Sequence, residues 1–392
     1  MNRSVRGLAL ALVLTLGAGR ASADMPADAH VHGMLDLNLT NGEQGIEDNY
    51  LNAGDTNFDP YRLRLFVDGR PATGFEVFTQ FIWSEAKTVS ADGVYARWTP
   101  NPDRDLHLVI GKMPWIIGTW APRTYSDKNP LIGMPMMYHY HTTLREDGVP
   151  PTADALLQAA GTGQYGVDYG SGAGYRGMPI VYDRCWDYGV AGIGSLRPLE
   201  FSIGVENGTP SSPNPGVDWN NTKGVLGRIG LAPTPSLRVG VSGAWGAYLM
   251  SKVQPQLPPG ASVDDYHQIL GMADLELTSG RFELRSEGYY NTWTTPTVGD
   301  LHVHGGYGEL KVTLIPGLWA AARGEVMRFS DLTGATLGTR PWDDNRDRFE
   351  GGLGYRVTRE VLLKSVFQRT VHHEDDGNEN YDLGALELSL VF

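Results

Sequence analysis

The sequence predicts an all-β fold: a transmembrane, antiparallel, up-and-down barrel of about sixteen strands with one long loop folded into it. Three observations carry this prediction. Short segments alternate polar and apolar residues, long and short connections alternate between them, and within each segment one parity holds the charges. Composition agrees. The 392 residues include 50 Gly, 18 Tyr and 10 Trp, and mean hydropathy is −0.27, which suits sheets with unlike faces and not a helical membrane protein. A formal charge of −13 lacks the basic footprint that nucleic-acid binding requires.

The N-terminus has the pattern of a secretory signal, with Arg3 and Arg6 preceding an apolar run from Leu8 to Leu16. Ala21-Ser22-Ala23 places small residues for cleavage before Asp24, which makes 1–23 the signal peptide and 24–392 a single barrel domain. The apolar run falls short of the roughly 20 residues a membrane helix needs. With Cys185 as the one cysteine, the chain can form neither an intrachain disulfide nor a paired-cysteine zinc site.

Sixteen strands follow from the two-residue period: His30–Thr40, Tyr61–Asp68, Phe75–Trp83, Val94–Thr99, Leu106–Lys112, Trp186–Gly194, Leu199–Asn207, Gly224–Leu231, Leu237–Trp245, Gln268–Leu277, Arg281–Trp293, Gly306–Leu314, Leu318–Phe329, Arg348–Val357, Val361–Val371 and Tyr381–Phe392. Odd-numbered connections are long, among them Asn41–Pro60, Gly208–Lys223, Gly246–His267 and Ser330–Asp347. Even-numbered ones are tight turns such as Asp68-Gly69-Arg70-Pro71, Thr278-Ser279-Gly280 and Ile315-Pro316-Gly317. Outer-membrane barrels keep short turns on the periplasmic rim and long loops on the other, and a soluble sandwich has no reason to.

The faces point the same way. Arg62 and Arg64 oppose Leu63 and Leu65; Asp274 and Glu276 oppose Ala273, Leu275 and Leu277; Arg281, Glu283, Arg285 and Glu287 oppose Phe282 and Leu284; Glu309 and Lys311 oppose Leu310 and Val312. In a wide barrel the apolar face meets lipid and the charged face meets water in the lumen. On the apolar parity, Trp83, Trp245 and Tyr290 mark the loop end and Trp98, Tyr355 and Phe392 the turn end, as two interfacial belts. Closure is required, because a free sheet edge in hydrocarbon strands backbone groups.

One connection exceeds the rest. From Gly111 to about Asp183 the chain is rich in Trp, Tyr, Met, Pro and Gly, and a connection of that length is normally functional or disordered. Its aromatic content argues against disorder. The expectation is a loop that enters the barrel and constricts it through Lys112, Trp115, Trp120, Arg123, Tyr125, Lys128, Tyr138, His139, Tyr140 and His141. Its aromatics have two readings, a slide for a sugar or aromatic solute, or pins that hold the loop to the wall. Arg62, Arg64, Arg97, Asp274, Glu276, Arg281, Glu283, Arg285, Glu287, Glu309, Lys311, Arg323, Glu325, Glu350 and Lys364 are the expected lumen-lining charges.

Tyr61-Arg62-Leu63-Arg64-Leu65-Phe66-Val67-Asp68-Gly69, Tyr95-Ala96-Arg97-Trp98-Thr99-Pro100, Ile110-Gly111-Lys112-Met113-Pro114, Asp187-Tyr188-Gly189-Val190 and Ser202-Ile203-Gly204-Val205-Glu206-Asn207-Gly208 resemble the phosphate- and polyphosphate-selective family of 16-stranded bacterial porins. The terminal Leu386-Glu387-Leu388-Ser389-Leu390-Val391-Phe392 is similar to the ending of outer-membrane proteins generally. The resemblance implies an outer-membrane location amid lipid and lipopolysaccharide, a constriction loop after strand five, a homotrimer, and passive diffusion of small hydrophilic solutes. Phosphate selectivity in that family rests on arginine and lysine clusters. Here the lumen charges are of both signs, so phosphate specificity does not carry over and polar or zwitterionic solutes are expected.

Other features have plainer readings. His30/His32, His139/His141 and His302/His304 each place two imidazoles on one side of a strand, but no third metal ligand is identifiable, so no metal or cofactor is assigned. Asp343-Asp344-Asn345-Arg346-Asp347 and His372-His373-Glu374-Asp375-Asp376 lack calcium-loop spacing and read as solvated surface. No Ser/His or Asp/His constellation marks an enzyme. Two alternatives to a channel remain, a scaffold barrel sheathing a periplasmic partner and an outer-membrane barrel hydrolase.

Overall fold

The computed structural model describes residues 29–42, 62–84, 89–170, 172, 174–183, 185–213, 220–374 and 377–392. The predicted signal peptide, residues 43–61 of the first long connection and Asp375-Asp376 lie outside them. The described residues form β1 (His30–Gly42), β2 (Arg62–Ala72), β3 (Phe75–Ser84), β4 (Ser90–Trp98), β5 (Leu106–Pro114), β6 (Trp186–Leu196), β7 (Leu199–Glu206), β8 (Gly224–Thr234), β9 (Leu237–Ala247), β10 (His267–Ser279), β11 (Phe282–Thr295), β12 (Gly299–Ile315), β13 (Leu318–Phe329), β14 (Asp331–Gly334), β15 (Gly338–Pro341), β16 (Asn345–Arg356), β17 (Val361–Glu374) and β18 (Gly377–Val391).

Sixteen of these close into one antiparallel barrel, each strand pairing with its sequence neighbour except that β13 pairs directly with β16. Pairing of β18 with β1 closes the ring, in register Leu37↔Leu388, and Gly33 and Phe392 exchange backbone hydrogen bonds of 2.7 and 3.0 Å beyond it. No sheet edge is left open in the barrel, which is the condition for surviving in hydrocarbon. All sixteen predicted strands have a counterpart, although β12 begins at Gly299 instead of Gly306 and β18 at Gly377 instead of Tyr381. The β14–β15 hairpin is separate and was not foreseen.

The faces are inverted relative to a soluble protein. Leu310 is 41% exposed, and apolar side chains on other strands such as Ile229, Val241 and Phe349 are exposed too, whereas Arg64 and Arg323 are 5% and 1% exposed. Register makes this systematic, since Leu310 pairs with Leu284 and Ala322 on one face while Glu309 pairs with Arg285 and Arg323 on the other. Trp245 and Tyr290 at the long-loop end, and Trp98, Tyr355 and Phe392 at the turn end, stand exposed on the apolar face. Trp83 shares that face, opposite Leu63.

Between β5 and β6 the chain makes a short 3-10 turn at Ala121–Arg123 and the helices α1 (Met136–His139) and α2 (Ala153–Gln158). Thr152 caps α2, its side chain accepting from Ala155 N at 3.1 Å. The segment is tethered all round the ring. Ser126 donates to Asp36 on β1, Arg64 on β2 donates to the Thr124 carbonyl, and Tyr125 donates to Gln80 on β3. Across the ring it bonds residues of β9, β11, β12, β13, β16 and β17. A chain that bonds opposite walls of a closed barrel runs through its interior. Its aromatic and Met residues meet Trp293, Tyr307, Met327 and Trp342 in one buried apolar cluster.

Candidate functional site: the barrel interior

The inward-facing charges divide into two groups according to what they touch. On β11 to β17 they bond to the loop. Glu287 accepts from Thr119 N and Oγ1 and, at 2.8 Å, from the Tyr138 hydroxyl. Glu309 accepts from Arg123, whose guanidinium lies 4.8 Å from the Trp120 ring centroid. Met136 N donates to Glu325 at 2.5 Å, Gly133 N to Glu350 at 2.9 Å, and Lys364 Nζ to the Leu131 carbonyl at 2.9 Å. Arg323 lies at the centre, donating to Glu325, Glu309, Glu350 and the Gly133 carbonyl at 2.9, 3.3, 2.5 and 2.8 Å. Gly133 fits closely there, since a Cβ would sit 2.7 Å from the Glu350 carboxylate and displace it.

Loop backbone must find partners wherever it is out of water, and ionised side chains provide the strongest ones. These charges therefore fasten the loop to one wall. Of the expected lumen-lining residues, Glu287, Glu309, Arg323, Glu325, Glu350 and Lys364 are buried in this way. Arg62 and Arg64 are buried around Asp36, at 3.0 and 3.9 Å.

The second group pairs sideways along the wall from β7 to β12 and, apart from the buried Asp274, stays partly accessible. Arg228 bonds Asp274 at 2.6 Å and Arg238 bonds Glu200 at 2.9 Å; Arg285 reaches Glu276 and Glu283 at 3.3 Å, and Lys311 bonds Glu283 at 2.7 Å. Gly230 and Gly240 let Arg228 lie flat on the wall, since a Cβ at Gly240 would fall 2.4 Å from its guanidinium. Arg97 pairs with Glu76 on the facing wall. Arg281 sits exposed in the turn before β11, its guanidinium toward the Leu314 carbonyl.

Several expectations about the loop need correction. Lys112 pairs with Val94 on the outer, apolar parity of β5 and donates to the Ala91 carbonyl at 2.8 Å, so it does not join the inward charges. Trp115, Trp120, Tyr138 and Tyr140 are buried in the apolar cluster and form no slide. His141 bonds the Gly177 carbonyl at 2.5 Å, and burial drives its pKa down to about 3. His302 and His304 are on the outer face against Tyr290, and among the described residues no three His, Cys, Asp or Glu cluster as a metal site. Asp343 is not solvated surface. It is buried and accepts from the Tyr140 hydroxyl, Thr143 N and Gly161 N at 2.8 to 2.9 Å.

Tyr125 and Lys128 behave differently. They border a cavity of about 340 Å³ between the loop and β1–β6, together with Phe66, Phe78, Tyr95 and Trp186 from the wall. Sequence reasoning missed these wall aromatics, although Phe66 continues the inward parity of Arg62 and Arg64. It also missed Glu200, Arg228 and Arg238. A larger hollow of about 460 Å³ lies on the outer face between Leu39, Leu353, Phe367 and Leu386; it has no charged lining and suits no polar solute.

No family model matches the sequence, and no curated protein does. Solved structures do match in fold. OmpT (in-vitro folded), an outer membrane protein of Vibrio cholerae, aligns at TM-score 0.56 and 10% identity over 93% of this chain and 97% of its own. Salmonella typhi OmpF, in complex with daunomycin, aligns at TM-score 0.56 and 10% identity with the same coverage. An anion-selective porin from Comamonas acidovorans aligns at TM-score 0.56 and 8% identity over 93% and 99%. The closed 16-stranded barrel described above is thus the fold of bacterial outer-membrane porins.

Proposed function

We propose that the chain is an outer-membrane channel of the porin type, passing small hydrophilic solutes by diffusion, with the segment 111–183 narrowing its lumen. The observation that carries this reading is the inverted barrel, in which ion-paired side chains such as Glu276, Arg285 and Lys311 face inward and remain accessible while leucines cover the outside. With β11–β17 covered by the loop, the water path runs along β1–β6 and the lower wall of β7–β12. Selectivity is weak. The accessible wall alternates Glu200, Glu276 and Glu283 with Arg238, Arg285 and Lys311, which sets up a transverse field and not a ring of one sign.

A sheath for a periplasmic partner would need an empty lumen, which the loop's bonds to opposite walls speak against. Export by a signal peptide cleaved before Asp24, outer-membrane lipid and lipopolysaccharide as surroundings, and a homotrimer complete the proposal. Reconstitution of the purified protein in planar bilayers tests it. Stepwise ion conductance with a reversal potential near zero in a salt gradient is expected. Absence of conductance refutes the channel, and strong anion selectivity refutes the assignment of the wall.

A further inference from the structure

The cavity between the loop and β1–β6 is built as a binding site. Its wall is a chain of rings in two files. His32 stacks on Phe66 with centroids 4.6 Å apart and planes 9° from parallel, and Tyr125 meets Phe66 edge-on at 5.6 Å. Phe78 stacks on Tyr95 at 4.9 Å, and Trp186 follows Tyr95 at 6.1 Å. Six rings from four wall strands, the start of β6 and the loop converge on about 340 Å³. Aromatic walls with a few placed polar groups are the usual construction of a small-molecule pocket.

The polar groups define the ligand. Gln80 accepts from the Tyr125 hydroxyl at 2.7 Å and makes no other hydrogen bond among the described residues, so its amide nitrogen remains able to donate. Asp68 borders the cavity beside His30 and His32, and its carboxylate makes no hydrogen bond among the described residues, so it is an open acceptor. The cations nearby are already engaged. Lys128 pairs with Asp127 at 3.0 Å, and Arg97 pairs with Glu76. Arg97 and Arg64 also occupy ring positions, 5.0 Å from the Phe78 centroid and 5.1 Å from that of Tyr125. Among the described residues an anion finds no unpaired lysine or arginine at the cavity, and guanidinium groups already sit over two of the rings a cationic ligand would use.

We propose that this cavity binds a neutral polyhydroxylated ring, a sugar of one or two units, with its C–H face on the aromatic files and its hydroxyls donating to Asp68 and bonding Gln80. Such a ligand supplies both an apolar face and edge donors, which a linear polyol or an inorganic anion does not. The proposal names the solute class of the channel and rests on that reading for transport, although not for binding.

The test titrates glucose and maltose into the detergent-folded protein, following saturation-transfer NMR and tryptophan fluorescence, with sorbitol, benzylammonium and inorganic phosphate as comparison probes. Dissociation constants on the order of 1–10 mM are expected, because a conducted solute must also leave. Sorbitol is expected to bind at least tenfold more weakly than glucose. Phe78→Leu and the isosteric Asp68→Asn each weaken glucose binding about tenfold, while Val77→Ala, on the exposed outer parity of β3 and away from the cavity lining, leaves it unchanged. Circular dichroism confirms that each variant is folded, and Asp68→Asn carries the test should Phe78→Leu fail to fold. Equal binding of sorbitol and glucose, tightest binding of benzylammonium or phosphate, or wild-type affinity in Asp68→Asn overturns the proposal. Conductance without sugar binding removes the site and leaves the channel; sugar binding without conductance removes the channel and leaves the site.

Discussion

Replacing Arg323 by Met tests the anchoring scheme where it is most concentrated. The guanidinium is fully buried and donates four hydrogen bonds, three to carboxylates and one to the Gly133 carbonyl. Met matches its stem in volume but leaves Glu309, Glu325 and Glu350 close together out of water. Of these, Glu309 retains Arg123, and Glu350 retains the Gly133 and Ile132 amides and Gln368. Removing one partner from a buried ionic network typically costs about 3–5 kcal/mol. The barrel ladders are untouched, so the cost falls on docking of the segment 129–139. At about 4 kcal/mol the opening equilibrium of that segment rises roughly a thousandfold. Amide hydrogen exchange by mass spectrometry on peptides from 129–139 reads this directly, with β11–β17 peptides as the unchanged reference. Adding Glu350→Gln to Arg323→Met recovers part of the loss, since the cycle removes one of the stranded charges. Exchange in 129–139 accelerated less than tenfold would refute the idea that these charges hold the loop.

Two further perturbations address other parts. Glu146, in the loop, accepts from the Ser212 hydroxyl beside Asp147 and Lys252, and burial raises its pKa from 4.5 to about 7. An acid whose folded pKa is raised holds its proton in the folded form. Docking is therefore firm below about pH 4.5, weakens as pH rises towards 7 by up to about 3 kcal/mol, and stays weakened above that. His141 acts in the opposite sense between its ordinary 6.5 and about 3, so the measurement is the difference between wild type and Glu146→Gln in proteolysis of the loop at each pH. Equal pH profiles would contradict the assignment. On the wall, Leu310→Arg places a charge on the outer face and is expected to lower folding stability in bilayers by about 2–4 kcal/mol, whereas Lys311→Met, one residue on and inward, is expected to change it by under about 1 kcal/mol. Urea titration in lipid vesicles distinguishes them, and a larger cost for Lys311→Met would invert the faces.

The strands were readable because their signal is local. A two-residue period and a turn every ten or so residues are carried by adjacent side chains, and β13 has the bounds the alternation predicts, Leu318–Phe329. Lys112 shows where the period fails. Val109 and Met113 face inward yet are apolar because they pack with Ala191, so β5 is apolar on both faces and its one charge gave a false parity. The β14–β15 hairpin escaped because its strands are four residues long and the acceptor for the backbone of 335–337 is Asp154, on α2. Which inward charges meet water and which meet the loop was not legible at all. Arg123 and Glu309 are 186 residues apart, and Gly133 and Glu350 are 217 apart. Asp343 misled for the same reason, since its partners Tyr140, Thr143 and Gly161 belong to the loop and nothing near Asp343 announces them.

The central claim is that water and solute occupy the space between the loop and β1–β6, inside the ring. Single cysteines at Gln80, on the inward parity of β3, and at Val77, on its outer parity, test this in a Cys185→Ser background. Current is recorded across a planar bilayer while a membrane-impermeant, charged methanethiosulfonate is added. The account predicts a stepwise fall in conductance for Gln80→Cys and none for Val77→Cys. Current that is unaffected at residue 80, or blocked equally from residue 77, would contradict it.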